Sequence, residues 1–153
     1  MLFRSIKVPA RATTEQYELF ARYQQSRHTG SDMALMGFYE YGAMVEDSPI
    51  DTFLVEFRDR TGDLVAVCLT DRTTDGLSAV YSFFDSDGDR AGLGNFVVLW
   101  LIAHAEKLGL PYVYLGYWIP DSAKMAYKAR FQPLEALGPN GLWAQLEGLG
   151  APR

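Results

Sequence analysis

The fold is decided by the stretch Asn95-Phe-Val-Val-Leu-Trp-Leu-Ile-Ala-His-Ala-Glu-Lys107 and by the two runs that flank it. This stretch is apolar on most sides, which predicts a long helix that the rest of the protein covers well. Before it, Leu77-Ser-Ala-Val-Tyr-Ser-Phe-Phe84 predicts a strand, and after Gly109 the run Tyr112-Val-Tyr-Leu-Gly116 predicts another. A long helix that connects two strands of one sheet makes them parallel neighbours.

Two further strands are predicted upstream of this pair, and they form an antiparallel meander with its first strand. Residues 52–58 alternate apolar and polar side chains, which predicts a strand buried on one face. The uninterrupted apolar run at residues 64–69 predicts a central strand buried on both faces. Asp59-Arg-Thr-Gly62 and Asp75-Gly76 have the composition of the tight turns that would connect the three strands.

The remaining predicted elements are helices and one final strand. Thr13-Thr-Glu-Gln16 is a capping box, which predicts a helix that continues to about Ser26. Less regular patterns predict a second helix at about residues 34–45, a third from Asp121 or Ser122 to about residue 129, and a last strand at 142–146. The fold class expected from this order is α+β, with a mixed sheet flanked by helices.

Composition limits the functions that are open to the chain. Its 153 residues fit a single domain with one core, and the net charge of −5 is unfavourable for general binding of nucleic acid, so any such contact is expected to be local.

Cys68 lies in an apolar run and is expected to be a buried small side chain in a reducing compartment. We expect no metal site, since His28 and His104 lie far apart in the sequence. No apolar run spans a bilayer and no secretory signal begins the chain, so we expect a soluble cytoplasmic protein without membrane contact.

A glycine-rich loop precedes the long helix and is a candidate anion site. Free backbone N–H groups in Asp89-Arg-Ala-Gly-Leu-Gly94, together with Arg90, could bind a phosphate; a turn that only begins the helix is the alternative. Enzymes that use acetyl-coenzyme A on a sheet of this layout usually have Gln or Arg at the first position of the loop. Asp89 at that position is unfavourable for coenzyme A, and we expect no cofactor.

Aromatic and basic side chains follow the second strand of the parallel pair. Tyr112, Tyr114, Tyr117 and Trp118 could cover an apolar or aromatic ligand, and the cations that follow could hold an anionic one; these are Lys124, Lys128 and Arg130. On a regular helix, Lys124 and Lys128 would lie one turn apart. Like charges at that spacing repel each other unless an anion lies between them. The alternative is that the aromatic rings fill a core and the cations face water.

The order of elements is the layout of GNAT-type N-acyltransferases, whose two parallel strands splay apart to bind the acyl donor. Longer motifs resemble a family with this fold, the C-terminal domain of aminoacyl-tRNA–protein transferases, and are most similar to bacterial aspartate/glutamate leucyltransferases. The resemblance covers residues 5–146 and is carried by Tyr17-Glu-Leu-Phe-Ala-Arg-Tyr-Gln-Gln-Ser-Arg-His28, Gly76-Leu-Ser-Ala-Val-Tyr-Ser-Phe-Phe-Asp85, Leu108-Gly-Leu-Pro-Tyr-Val-Tyr-Leu-Gly-Tyr-Trp-Ile119, Lys124-Met-Ala-Tyr-Lys128 and Phe131-Gln-Pro-Leu-Glu135.

The resemblance implies transfer of an amino acid, leucine in the first instance and arginine as the alternative, from its tRNA to the α-amino group of proteins that begin with Asp or Glu. Such transfer marks proteins for degradation through the N-degron pathway. Residues 1–153 would form one GNAT-like domain. The family's N-terminal domain, with its clustered cysteines, is not among these residues, so part of the peptide and tRNA surface is expected to be missing.

Several positions that match the family are candidates for the site. Asp71 could orient or accept the proton of the attacking amine, or could be a turn carboxylate; Ser78 and Tyr81 could donate to the ester carbonyl, or could pack in the core. For the acidic side chain of the acceptor we expect Arg27 or His28, with Tyr117 or Tyr81 as a hydrogen-bond partner. The other substrate contacts expected are Arg90, Gly92 and Gly94 for the end of the tRNA, Lys124, Lys128 and Arg130 for its acceptor arm, and Phe83, Tyr114 and Trp118 for the leucine side chain.

Two other functions stay open. One is a small-molecule N-acyltransferase on the same fold, and the other is a non-catalytic module that binds acidic protein N-termini.

Overall fold

The computed structural model describes residues 3–27, 30–86, 92–118, 122–123 and 125–146. The chain divides into two compact units, Met1–Leu115 and Gly116–Arg153. The first unit contains the main sheet and all the α-helices of the described residues, and the second contains a small sheet of its own.

Five strands form the main sheet in the order β1-β2-β3-β4-β5: β1 Arg4–Pro9, β2 Asp51–Arg58, β3 Leu64–Arg72, β4 Gly76–Phe84 and β5 Tyr112–Tyr114. The first four strands pair antiparallel and β5 pairs parallel with β4. The predicted meander and the predicted parallel pair are therefore confirmed, and β3 is the central strand. The sequence analysis did not predict β1, which adds an edge strand beside β2.

The three α-helices are α1 Thr14–Arg27, α2 Phe38–Glu46 and α3 Leu93–Lys107. The capping box at the start of α1 is confirmed, because the Gln16 backbone N–H donates to Thr13 Oγ1 and the Thr13 N–H donates to Gln16 Oε1, each at 3.2 Å. The single helix predicted at residues 34–45 is wrong. A 3-10 helix at Asp32–Leu35 ends where residues 36 and 37 are extended, and α2 begins after them.

Helices cover both faces of the sheet. One core contains α3 and the side chains of Phe53, Val55 and Leu77; the other contains α1, α2 and the side chains of Leu54 and Phe83. The prediction that β2 is buried on one face only is wrong, because α3 covers the face opposite the one that α1 and α2 cover. Burial of β3 on both faces is confirmed.

The prediction that α3 is well covered is also wrong. Leu93, Val97 and Leu101 are buried against the sheet, whereas the side chains of Leu99 and Ile102 are 56% and 40% exposed. The helix packs on the sheet through one face, and its apolar residues on the other face remain accessible. Among the described residues, no helix combines the length and the apolar character that crossing a bilayer requires.

The second unit contains β6 Glu135–Leu137 paired antiparallel with β7 Trp143–Gln145. The final strand predicted at residues 142–146 is thus confirmed, although it pairs with β6 in a separate sheet. Within the described residues, the α-helix predicted to reach residue 129 is replaced by a 3-10 helix at Ala126–Arg130. Pro133 follows closely, and because the residue before a proline disfavours helical backbone, little chain is left for a regular helix.

Candidate functional site

The parallel pairing of β4 and β5 ends after three residues, and we call the unpaired edge of β4 beyond this point the gap. The Cα partners are Gly76 with Tyr112, residue 77 with 113, and Ser78 with Tyr114; β4 then continues to Phe84 while β5 ends. The closed end of the gap is tight, because a Cβ atom on Gly76 would lie 2.5 Å from the carbonyl oxygen of Tyr112. The glycine of the predicted Asp75-Gly76 turn therefore also lets the two strands approach.

Along the gap, β4 has a free edge and a bulge. Leu69 is opposite Tyr81 and Thr70 is opposite Ala79, so Val80 is the extra residue of the bulge, and its side chain is exposed. Beyond Ser78, no described strand pairs with β4 on the side away from β3. Backbone N–H groups on this free edge are available to a bound carbonyl oxygen.

Three of the predicted site residues lie in one row at the closed end of the gap. Asp71 on β3 is the Cα partner of Ser78 on β4, which is the partner of Tyr114 on β5. The Asp71 carboxylate accepts a hydrogen bond of 2.6 Å from Thr52 Oγ1. The Tyr114 hydroxyl donates to Asp75 Oδ2 at 2.9 Å, and this hydrogen bond raises the pKa of Tyr114.

Tyr81 lies beyond the bulge, apart from that row, and contacts α1. Its ring packs against Phe20, Tyr23 and Phe83, and its hydroxyl oxygen accepts a hydrogen bond from Nε2 of Gln24. Burial raises the pKa of Tyr81 to about 12, so the phenol stays protonated at neutral pH. Because its oxygen accepts from Gln24, the Tyr81 O–H proton can be donated to another oxygen.

Sequence analysis did not single out Gln24, although it is buried at 1% exposure on the inner face of α1. Its Oε1 atom has no hydrogen-bond partner in the part of the chain that the structure describes. A buried amide oxygen without a partner is uncommon and calls for an explanation. Its position four residues after Phe20 on the helix was the signal in the sequence, since residues spaced by four share a helix face.

Arg27 lies where α1 ends, beside the end of β4. Its guanidinium carbon is 4.6 Å from the ring centre of Phe84 and 5.5 Å from that of Tyr23. Phe84 in turn lies beside Gly94 in the first turn of α3. Gly92 caps this helix with a φ of 90°, a conformation that glycine adopts without strain. These contacts bring Arg27 close to the predicted donor site, while His28, Arg90 and Lys124 lie outside the described residues.

Within the second unit, the described basic side chains are Lys128 and Arg130. Lys128 Nζ donates to the backbone oxygen of Tyr117 at 2.7 Å, and burial lowers the pKa of Lys128. The predicted one-turn spacing of Lys124 and Lys128 lies outside the described residues, because Lys124 does. Arg130 is exposed, the Tyr117 ring is exposed, and Trp118 is half-buried.

Two side chains named in the sequence analysis lie inside the cores. Phe83 packs between Phe20 and Tyr41, which places it away from solvent as a core residue. Cys68 is fully buried and burial raises the pKa of its thiol to about 11, so the thiolate that a nucleophile requires is not formed at neutral pH.

The sequence is similar to a known family of proteins. Residues 15–138 match the family described as arginine-tRNA-protein transferase, C terminus. The chain belongs to this family. Two curated relatives in it are aspartate/glutamate leucyltransferases, from Paramagnetospirillum magneticum at 65% identity over 95% of this chain, and from Gluconacetobacter diazotrophicus at 61% over 92%. The chain spans 59% and 54% of the length of these two relatives.

Solved structures show the fold of this arginine-tRNA-protein transferase C-terminal chain. A ribosomal-protein-alanine N-acetyltransferase from Brucella melitensis aligns with a TM-score of 0.59 at 13% identity, over 85% of this chain and 91% of that one. An acetyltransferase from Bacillus cereus aligns with a TM-score of 0.56 at 11% identity, over 84% and 75%. The prediction of a GNAT-like α+β fold is confirmed.

Proposed function

We propose that this chain transfers leucine from leucyl-tRNA to the α-amino group of proteins that begin with Asp or Glu. The match to the transferase family over residues 15–138 carries the proposal, and the name of the curated relatives supports leucine as the transferred amino acid. The strand β4 supports it too, since it has a free backbone edge beyond Ser78 and carries Tyr81, whose phenol is a possible proton donor.

The reaction joins an amine to an ester carbonyl and releases the tRNA. The α-amino nitrogen of the acceptor attacks the carbonyl carbon of leucyl-tRNA and forms the C–N bond. The tetrahedral intermediate then breaks its C–O bond, and the ribose oxygen leaves with a proton. Proximity and stabilisation of the oxyanion are the two contributions that such a transfer needs from a protein.

We assign these contributions to side chains of the first unit. Tyr81 donates its O–H proton to the carbonyl oxygen, because Gln24 Nε2 donates to the phenol oxygen and leaves that proton for another acceptor. Asp71, held by Thr52, orients or accepts the proton that the amine loses, and Ser78 lies between Asp71 and the gap as a second donor. The proposed transfer needs no covalent enzyme intermediate. Cys68 does not act as a nucleophile in it, because its thiol is buried and protonated.

The proposal extends to the partners and the setting. Arg27, Gly92 and Gly94 would lie near the end of the donor, and the exposed Arg130 would contact the acceptor arm. Residues 1–153 would act as the C-terminal, GNAT-like domain of the transferase. Leucine added in this way would mark proteins for degradation by the N-degron pathway in the cytoplasm.

The direct test incubates the purified chain with radiolabelled leucyl-tRNA, and separately with arginyl-tRNA, plus a peptide beginning with Asp. We expect label on the peptide from leucyl-tRNA only, and none on a matched peptide beginning with Ala. Label from arginyl-tRNA alone would contradict leucine as the donor amino acid. No label from either tRNA, with the Asp peptide still bound, would contradict transfer and indicate a module that only binds acidic N-termini.

A further inference from the structure

Three cations lie beside the last turns of α3, and none of the residues proposed for the transfer is among them. They are Lys7 on β1, Arg72 at the end of β3 and Lys107 in the last turn of the helix, and we call them the basic cluster. Within the described ranges, none of the three side chains forms a hydrogen bond or an ion pair. Lys7 and Lys107 are exposed, and Arg72 is half-buried.

One face of α3 turns towards the edge strand β1. Trp100, His104 and Lys107 share this face, because they are spaced by four and by three residues. Trp100 Nε1 donates to Ser5 Oγ on β1 at 2.8 Å, and the Trp100 ring is stacked on the His104 ring with 4.7 Å between the ring centres. Lys7 comes two residues after Ser5 and therefore lies on the same face of the strand.

An aromatic ring of β2 and the imidazole of α3 lie between these cations. Lys7 Nζ is 4.3 Å from the centre of the Phe53 ring, and the centre of the His104 ring is 6.2 Å from the same point. Arg72 is on this face of the sheet too, because its Cα partner is Leu77, which belongs to the core that contains α3. Burial lowers the pKa of His104, and the charges of the basic cluster lower it further. The imidazole is therefore neutral at neutral pH, and the positive charge here is that of the three cations.

Contacts within the fold do not account for the basic cluster. Cations in the last turn of a helix often bind its last carbonyl groups, but the carbonyls of residues 104, 105 and 106 accept from the backbone N–H groups of residues 108, 110 and 109. Asp51 is the Cα partner of Arg72, yet the two form no ion pair. Glu106 lies on a different face of α3 from Lys107. An anion bound among the three cations would offset their mutual repulsion.

We propose that the basic cluster binds backbone phosphates of the donor tRNA. The inference rests on the proposed function, because it adds a contact to the tRNA of that transfer. Lysine and arginine are the usual side chains for phosphate contacts. In a chain with a net charge of −5, such a contact has to be local, and the basic cluster concentrates positive charge at one edge of the sheet.

The length of α3 indicates which part of the tRNA this contact would reach. The helix has 15 residues, so about 22 Å separate its last turn from Gly92 and Gly94 at its start, where the end of the donor is proposed to lie. One strand of a duplex places a phosphate about every 3.4 Å along the axis. The phosphates at the basic cluster therefore belong to nucleotides several positions from the aminoacylated end.

Binding of deacylated tRNA tests the basic cluster without the transfer reaction. A fluorescently labelled leucine tRNA is titrated with the purified chain at several salt concentrations, and anisotropy gives the Kd. Lys7→Gln/Lys107→Gln should raise the Kd about tenfold at low salt, and the slope of log Kd against log salt should fall by about two. Arg4→Gln/Arg60→Gln is the matched control, because it removes the same charge from two exposed positions of the same unit. It should change the Kd by less than about twofold.

A transfer assay separates this inference from the proposed function. Lys7→Gln/Lys107→Gln should raise KM for leucyl-tRNA about tenfold and leave kcat unchanged, because neither lysine is assigned to the reacting atoms. If tRNA binding depends on the basic cluster but the wild-type chain transfers no leucine, the RNA contact stands and the function does not. If leucine is transferred but the two double variants have the same Kd for tRNA, the inference is overturned and the function stands. Absence of tRNA binding by the wild-type chain would also overturn the inference.

Two further probes identify the anion. Inorganic phosphate is added in a thermal melt at the ionic strength of a chloride control, and polyglutamate competes with labelled tRNA at the same concentration of charge. We expect phosphate to leave the melting temperature unchanged and polyglutamate to displace no tRNA. Stabilisation by phosphate that Lys7→Gln/Lys107→Gln removes, with unchanged tRNA affinity, would assign the basic cluster to free phosphate instead. Displacement by polyglutamate would assign it to acidic proteins. The same melts verify that both double variants are folded.

Discussion

The two ends of α1 each bury one glutamine, and the two glutamines differ in how their amides are paired. Gln16 and Gln24 are both 1% exposed and lie eight residues apart on the inner face of the helix. Gln16 Nε2 donates to Glu56 at 2.9 Å, and its Oε1 accepts from Tyr41 at 3.0 Å and from the Thr13 backbone. Gln24 donates to Tyr81, and its Oε1 has no partner among residues 3–27, 30–86, 92–118, 122–123 and 125–146.

The paired end is built for stability. Arg58 extends the network around Gln16, since it donates to Glu56 at 3.1 Å and forms a two-pronged ion pair with Glu15, which lowers the pKa of Glu15. Both carboxylate oxygens of Glu56 accept hydrogen bonds in this network. The other end has an amide oxygen without a partner among the described residues, the phenol of Tyr81, and a cavity lined in part by Tyr23 and Phe84. We infer that the start of α1 contributes mainly to stability, and that the proposed function depends on its end.

Gln16→Leu is expected to have the largest effect on this contrast. It leaves Glu56 and Tyr41 buried without their shared partner and removes half of the capping box, so we expect a loss of about 3 kcal/mol in the free energy of unfolding. Urea denaturation measures this loss. Glu18→Leu, at an exposed position of the same helix, should change the stability by less than about 0.5 kcal/mol. Equal losses in both variants would refute a special role for the network.

Tyr81→Phe tests the other end of the helix. Removing the proton donor to the carbonyl should lower kcat for leucine transfer about a hundredfold. The same chemical change in the stability network, Tyr41→Phe, should lower the unfolding free energy while leaving kcat of the folded protein unchanged. A similar kcat for both variants would place the carbonyl donor elsewhere.

Gln24→Leu should separate stability from activity in one variant. The leucine removes the buried oxygen that has no partner, so we expect the unfolding free energy to change by less than about 1 kcal/mol. Without the amide, the Tyr81 hydroxyl loses its fixed orientation, and kcat should fall about tenfold, with little change in KM for the peptide. A loss of stability as large as that of Gln16→Leu would show that the two glutamines have the same role.

Thr13→Ala is expected to have the smallest effect. The substitution removes the oxygen that accepts from the Gln16 backbone N–H, and such caps contribute about 1 kcal/mol. Thr14→Ala is the control, since Thr14 is exposed in the first turn of the helix. Thermal unfolding of the two variants compares them, and a melting temperature lowered more by Thr14→Ala would contradict the capping box.

Sequence patterns predicted the centre of the fold better than its edge. The lengths and apolar character of β3, β4 and α3 left few alternatives, and the crossover connection fixed the parallel pair. The strand β1 was missed, although Ile6 and Val8 alternate with polar residues, because the run is short and ends at Pro9. Its place in the sheet comes from pairing with β2, a contact distant in sequence.

The site was predictable to the extent that its residues carry chemistry in themselves. Asp71 and Ser78 were named because they match positions of the family that the sequence resembles, and the structure places them opposite each other on β3 and β4. The bulge at Val80 could not be predicted, because it arises from pairing between two strands. Glutamine is a common residue in helices, so the sequence does not distinguish Gln24 from the other polar residues of α1. Its burial depends on the elements that pack against this face of the helix.

The close approach at Gly76 also bears on how this protein can be redesigned. The narrowest point of the gap is set by a carbonyl oxygen facing a residue without a side chain, so any larger residue there pushes the two strands apart as a whole. The separation of the strands at the closed end is therefore set by backbone atoms and not by a side chain. A library that tests the proposed transfer with new donors should leave residues 76–78 constant and vary the β4 positions beyond the bulge.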